Sequence, residues 1–267
     1  MKKAMRNRSL LLVNSVLVFS ALIMLWEAVI LIFHVQPYML PDPLAVVTTT
    51  AGRFPDLWSA FLITAEEAAM GLLASIVVGV LVALVFARSR WIRRLLFPYT
   101  VLLQTVPIMA VTPLIIMWVG PGLNAVVLIV FIFCLPSIIA NTTQGLISVD
   151  ENLVQLFLMH NASQGQKLRK LRFPHSLPNL FVGVRVASGV AAIGAIIGEL
   201  FAGSTGVGHG GLGYSIEYAK DQLQTSYLFA LVVAATALGF AFFFIAMFFE
   251  WLLLHHWHES ATVVEDI

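Results

Sequence analysis

The sequence has 267 residues, of which 60% are hydrophobic and 11% charged, with a formal net charge of +1 and a mean hydropathy of +0.92. A soluble domain carries about 25% charged residues, so this chain has too few to clothe a water-facing surface, and an integral membrane protein is implied. The near-neutral balance gives no field for nucleic acid, and the single cysteine, Cys134, excludes an intrachain disulfide and a Cys-based zinc cluster.

The N-terminus, MKKAMRNRSLLLVNSVLVFSALIMLWEAVILIF, is a basic head followed by an apolar run from Leu10 to Phe33. A signal peptide has an apolar core of about 7–15 residues before a small-residue cleavage site. This run is long enough to cross the roughly 30 Å hydrocarbon core, so it reads as an uncleaved transmembrane helix. Residues 1–8 then form a cytoplasmic tail and 9–267 a single transmembrane domain. LPDPLAVVTTTAGRF, which follows, reads as a short amphipathic helix along the membrane surface. Asp42 can cap it, Pro43 suits its first position, and Leu44, Val47, Ala51 and Phe54 keep helical spacing.

Six spans are predicted: Leu10–His34, Phe61–Phe86, Leu95–Val119, Ala125–Leu146, Leu180–Phe201 and Leu228–Leu254. The fold class is therefore an all-α membrane protein. The second span opens on TAEEAAMG, with Glu66 and Glu67 expected at the external interface. The third holds Pro98, Pro107 and Pro113 and should be kinked or partly unwound, which a membrane tolerates only where protein or water satisfies the freed backbone groups. The fifth carries Arg185 near its cytoplasmic start and Glu199 deep in apolar sequence. About 21 Å of helix separates them, so they do not pair with each other. Intramembrane charge is rare and functional by default, which makes Glu199 the leading candidate for a pathway or gate residue, with Arg185, Glu66 and Glu67 beside it. Glu27 and Glu250 read as interfacial. Ala187, Ala191 and Ala195, with Gly194 and Gly198, form a small-residue stripe suited to close helix packing.

Orientation follows from the basic residues. The head (Lys2, Lys3, Arg6, Arg8), the loop after the second span (Arg88, Arg90, Arg93, Arg94) and the stretch HNASQGQKLRKLRFPHSLP (Lys167, Arg169, Lys170, Arg172) hold twelve of the fifteen Lys and Arg residues. Six spans put all three on one side, with both termini cytoplasmic. That last stretch is more than a charged loop. Asp150 can cap a helix whose apolar face is Leu153, Val154, Phe157 and Leu158; Asn161 tolerates the left-handed turn that ends it. Ser163 and Gln166 are spaced as a capping box for a second short helix reaching about Arg172, which Pro174 should stop.

The segment resembles the cytoplasmic signature loop of ABC importer permeases, whose short helix docks in a groove of the ATPase. The residues that carry the resemblance are Asn161-Ala162-Ser163, Gly165-Gln166, Phe173-Pro174 and Leu177-Pro178. Gln155, Leu156 and Phe157 stand where the family has Glu-Ala-Ala, and Asn161 where it has the signature Gly. LPDPLAVV, QTVPIMAVTPLIIMWVGPG, GVRVASGVAAIGAIIGELFAG and GLGY resemble further family segments in the family's order. The resemblance implies a type I importer architecture with a coupling loop at about 147–178. Gln155, Leu156, Phe157, Asn161, Ala162, Ser163, Gly165, Lys167, Pro174 and Pro178 would meet the ATPase. It further implies ABC ATPase subunits, an extracytoplasmic solute-binding protein and a second permease copy, a homodimer, as partners in a bacterial cell membrane. TAEEAAMGL and LQTVPIMAVTPL look nearest to permeases for vitamins and precursors, of the riboflavin or hydroxymethylpyrimidine type, with sulfonate, taurine or nitrate as the alternative.

Other chemistries fit less well. No Gly-x4-Gly-Lys-Ser/Thr occurs, so no P-loop is present and ATP hydrolysis is assigned to a separate subunit. GHGGLG, at Gly208, Gly210 and Gly213, lacks the strand and acidic partner of a dinucleotide site and reads as an external turn. His34, His160, His175, His209, His255, His256 and His258 all fall at span ends or in loops, which disfavours an intramembrane protease, haem or a metal centre. No cofactor is expected. An ion-coupled carrier of two inverted halves is the competing class, but no internal repeat is visible.

Overall fold

The computed structural model describes residues 2–202 and 210–255, and within them every side chain except those of residues 2–13, 15, 16 and 19. Every regular element among these is a helix: α1 (Lys2–Phe33), α2 (Pro43–Gly52), α3 (Phe54–Arg88), α4 (Arg90–Thr105), α5 (Ile108–Val119), α6 (Leu123–Ile147), α7 (Glu151–Met159), α8 (Gln164–Lys167), a π turn (Leu168–Arg172), α9 (Phe173–Ala202), α10 (Leu212–Asp221) and α11 (Thr225–Leu254). Four are long and apolar enough to cross a membrane, counting α8 to α9 as one, and five if the bent pair α4–α5 is a single span. The first expected span coincides with α1, whose Ser20–Phe33 is a shorter apolar helix.

The chain divides into two compact units, residues 1–58 with 215–233, and residues 59–214 with 234–267. In the first, Asp42 caps α2 by accepting from the Leu44 N–H at 2.9 Å, and Pro43 takes the first helical position. Arg53, just after α2, lies 3.7 Å over the Tyr227 ring and donates to Gln224 at 2.7 Å. Thr225 donates to the Tyr38 carbonyl at 2.7 Å, and Trp26 and Phe229 stand 5.4 Å apart.

The second unit is built on small residues. On α3, Gly71, Ser75 and Gly79 recur every fourth residue. A Cβ at Gly71 would lie 2.5 Å from the Cβ of Val130, one at Gly79 2.7 Å from Ile138, and the Ser75 hydroxyl donates to the Phe131 carbonyl at 2.8 Å. Helix α6 is therefore close enough to α3 for backbone bonding. On its other flank α6 meets α9 through the predicted stripe, where Ala187, Ala191 and Ala195 are fully buried and Gly198 rests on Val126. Cys134, buried between them, donates to the Ala187 carbonyl at 3.4 Å. Lipid tails are as apolar as Leu, so close packing and internal hydrogen bonds hold such helices together rather than hydrophobic burial.

Two expectations are corrected. Helix α3 begins at Phe54, so Glu66 and Glu67 lie in its fourth turn rather than opening a span. Pro174 does not end the short basic helix, because Gln164–Ala202 runs on as one helix of 39 residues. The π turn explains why: Phe173 N–H reaches the Leu168 carbonyl, five residues back, and this widened turn relieves the clash a proline ring makes with an α-helical carbonyl. The third predicted span is kinked as expected, with α4 and α5 bent by 102° at Val106 and Pro107, while Pro98 and Pro113 lie inside α4 and α5.

Candidate functional site

Two groups of candidate residues emerge, one exposed and one buried. The exposed group is the α7–α8 segment. Asp150 caps α7 by accepting from Asn152 N–H at 2.8 Å. The helix closes through Asn161 at φ 51, with Asn161 N–H bonded to Leu158 O and Ala162 N–H to Phe157 O, each at 2.9 Å. That 5→2 and 6→1 pattern is a Schellman closure, satisfying carbonyls that a helix end leaves open. Ser163 then opens α8 with a complete capping box: Gln166 N–H donates to its hydroxyl at 3.2 Å, and its own N–H donates to Gln166 Oε1 at 2.8 Å.

This rigid turn presents apolar side chains outward. Leu153, Leu156, Leu158 and Met159 are exposed, Met159 at 81%, and no residue of α7 is buried. Leu156, Phe157, His160, Ala162, Gln166 and Lys170 enclose a hollow of ≈ 220 Å³. Gln155, Asn161, Ser163 and Gly165 are exposed, Phe157, Ala162, Pro174 and Pro178 half-buried, and Lys167 buried. Arg172 ties the segment down, donating to the Ala87 carbonyl at the end of α3 at 3.3 Å.

The buried group centres on Glu199, 2% exposed, and Glu67, 4% exposed. Their carboxyl groups lie within hydrogen-bonding reach of each other, and a bond between them uses one proton, since a carboxylate only accepts. Among the described residues, the buried atoms Glu67 Oε2 and Glu199 Oε1 have no hydrogen-bond partner in the present geometry. Gly213 N–H donates to Glu199 Oε2 at 2.6 Å, with Tyr214 N–H also facing the carboxyl. Leu212 N–H donates to the Thr64 hydroxyl at 2.8 Å. Glu199 thus caps the first turn of α10 and joins it to α3 and α9. The glycines fit the same junction: a Cβ on Gly211 would collide with the Glu199 carboxyl and one on Gly213 with the Ile196 carbonyl.

Sequence reasoning singled out Glu67 and Glu199 separately and missed their contact, along with Thr64, Gly211 and Gly213. The stretch Gly211–Tyr214 resembles an outer-loop segment of the family, and in the structure Gly211, Leu212 and Gly213 are buried at this junction. Glu66 is exposed and stays outside the group. Arg185 pairs with Glu250, at 3.0 Å, joining α9 to α11. Glu250, expected at an interface, lies one turn before the end of α11 and is the charge partner of Arg185. Among the described residues no cluster could hold a metal; Gly208, His209, His256 and His258 lie outside them.

Residues 75–254 match the family of binding-protein-dependent transport system inner membrane components. The chain belongs to that family. It is 30% identical over 243 residues, 91% of its length and 96% of the relative's, to the "Probable ABC transporter permease protein" of Haemophilus influenzae. It is equally similar, at 30%, to the riboflavin transport system permease protein RibX of Chloroflexus aurantiacus (90% of this chain, 88% of the relative). The same identity relates it to the formylaminopyrimidine transport permease protein ThiX of Halalkalibacterium halodurans (87% and 91%). The taurine transport system permease protein TauC of Escherichia coli follows at 25%, over 83% of this chain and 81% of that protein. The fold matches a solved amino acid ABC transporter with a TM-score of 0.61 at 15% identity, over 77% of this chain and 98% of that one. The protein is therefore a multi-pass ABC importer permease of the binding-protein-dependent class, and the ion-coupled carrier is set aside.

Proposed function

We propose that this permease imports a vitamin or vitamin precursor, of the riboflavin or hydroxymethylpyrimidine type, handed over by an extracytoplasmic binding protein. Separate ABC ATPase subunits hydrolyse the ATP, two copies of this chain line one pathway, and both termini face the cytoplasm of a bacterial cell. The riboflavin and formylaminopyrimidine permeases among the relatives support this substrate class over sulfonates and taurine.

The observation that carries the mechanism is the exposed apolar face of α7, capped at both ends and joined by the Asn161 turn to α8, which runs on through the π turn into α9. A groove in the ATPase that buries exposed Leu156 gains up to roughly 1.5–3 kcal/mol, and less from Phe157, which is already half-buried. Motion of the tip at Asn161–Gly165 is carried by one helix to Arg185 and Glu199. The Glu67–Glu199 junction is the element that opens or holds the pathway.

The test is uptake of labelled riboflavin, hydroxymethylpyrimidine and taurine by cells carrying the permease with its ATPase and binding protein. Leu156→Asp and Phe157→Asp should insert normally, lose ATPase on co-purification and abolish uptake. Full uptake by both variants ends the coupling role; uptake of taurine alone ends the vitamin assignment.

A further inference from the structure

Where α3 ends and α4 begins, the chain forms a cavity that the coupling role leaves unused. Arg88, Arg90 and Arg172 line it together with Ser89 and Gln164, and its volume is ≈ 510 Å³, within the roughly 300–1,000 Å³ of small-ligand sites. No carboxylate lines it. Among the described residues none of the three arginines is in a salt bridge. Glu151 lines only an adjoining hollow with Arg90 and Arg172. Three arginines lining one space, with no carboxylate beside them among the described residues, are suited to an anion, and the planar forks of their guanidinium groups match phosphate oxygens.

The surroundings indicate where that phosphate comes from. Trp91, 73% exposed, follows Arg90 directly, and the next turns of α4 expose Leu95, Leu96 and Tyr99. Basic residues interleaved with Trp91 (Arg90, Arg93, Arg94) and then an apolar face are the order of a helix passing from headgroups into acyl chains, where Trp and Tyr favour the interface. Basic pockets between membrane helices bind anionic headgroups by the same logic. We infer that this cavity is a binding site for the phosphate of an anionic phospholipid such as phosphatidylglycerol. The lipid would brace the α3–α4 corner against the coupling segment, which Arg172 already ties to Ala87. This does not rest on the substrate or the orientation proposed above.

The test uses the full chain in neutral detergent, its thermal unfolding followed while short-chain phosphatidylglycerol, phosphatidylcholine or inorganic phosphate is added. Phosphatidylglycerol alone should stabilise the wild type. Each arginine near an anionic headgroup contributes a factor of about five in affinity, so Arg88→Gln/Arg90→Gln should bind it about twenty-five-fold more weakly. The charge-matched control Arg93→Gln/Arg94→Gln should bind as wild type. Arg172 stays intact to preserve its tie, and if the double variant unfolds, Arg90→Gln alone should show the single factor of about five. Equal losses in the control would mean diffuse attraction, not a site, and would overturn the inference. So would inorganic phosphate stabilising as well as the lipid, no response to phosphatidylglycerol, or wild-type lipid binding by a double variant that instead loses a protein partner.

Discussion

Gly211 leaves no room for a side chain because the Glu199 carboxyl fills the space, with the Thr64 hydroxyl behind it. Gly211→Ala inserts one methyl there and removes no polar group, so its cost is overpacking, roughly 1–3 kcal/mol. Glu199→Ala does the reverse, leaving Gly213 N–H, Tyr214 N–H and the Glu67 carboxyl short of a partner. Each buried group so stranded costs about 1–3 kcal/mol. Both changes break one junction, so the double variant should lose less stability than the two singles together. Unfolding of all three in detergent measures this, and strict additivity would show that Gly211 and Glu199 act separately. Gly239, with nothing within 4 Å, is the contrast: Gly239→Ala should be neutral or gain up to about 1 kcal/mol in helix propensity. The presence of Glu67 and Glu199 was legible because carboxyls stand out in apolar sequence. Their contact was not, because 132 positions separate them and a helix apolar on most sides carries no periodicity to say which face meets which.

At the scale of elements, what is local could be read and what is imposed from a distance could not. Asp42, Asp150 and Ser163 marked their helix starts, and Asn161 its left-handed turn, because a cap or turn is decided within four residues. Pro174 misled because a proline need not end a helix: the five-residue π turn relieves the clash beneath Pro174, and Pro136 and Pro178 lie inside α6 and α9. Helix α8 has four residues, far below the length at which a helix persists alone, so the capping box carries much of its order. Ser163→Ala should cost about 1 kcal/mol locally. Amide exchange at Gln166 and Lys167 should then speed up about five-fold, while the α9 amides stay protected. Unchanged exchange at both positions would mean that the π turn and α9, rather than the cap, order α8.

Across the whole molecule, the bend between α4 and α5 decides which side everything else faces. The 16 residues of α4 and 12 of α5, at 102°, give an end-to-end reach of about 27 Å at 1.5 Å per residue. That nearly matches the roughly 30 Å hydrocarbon core, so the pair is long enough to cross despite its kink. If it crosses, two crossings separate Arg88–Arg94 from Lys167–Arg172, and both basic clusters share one side. If it re-enters instead, only α6 separates them and the clusters would lie on opposite sides, against the bias that orients membrane proteins and against the bond from Arg172 to the Ala87 carbonyl and the cavity both clusters line. The crossing form is therefore expected, with both clusters cytoplasmic. Single cysteines replacing Ser89 and Ala162, each in a Cys134→Ser background, can be probed with an impermeant maleimide in right-side-out and inverted vesicles. Both should label in inverted vesicles only. Labelling from opposite sides would make α4–α5 a re-entrant loop and would contradict the Arg172–Ala87 bond and the cavity that residues of both clusters line.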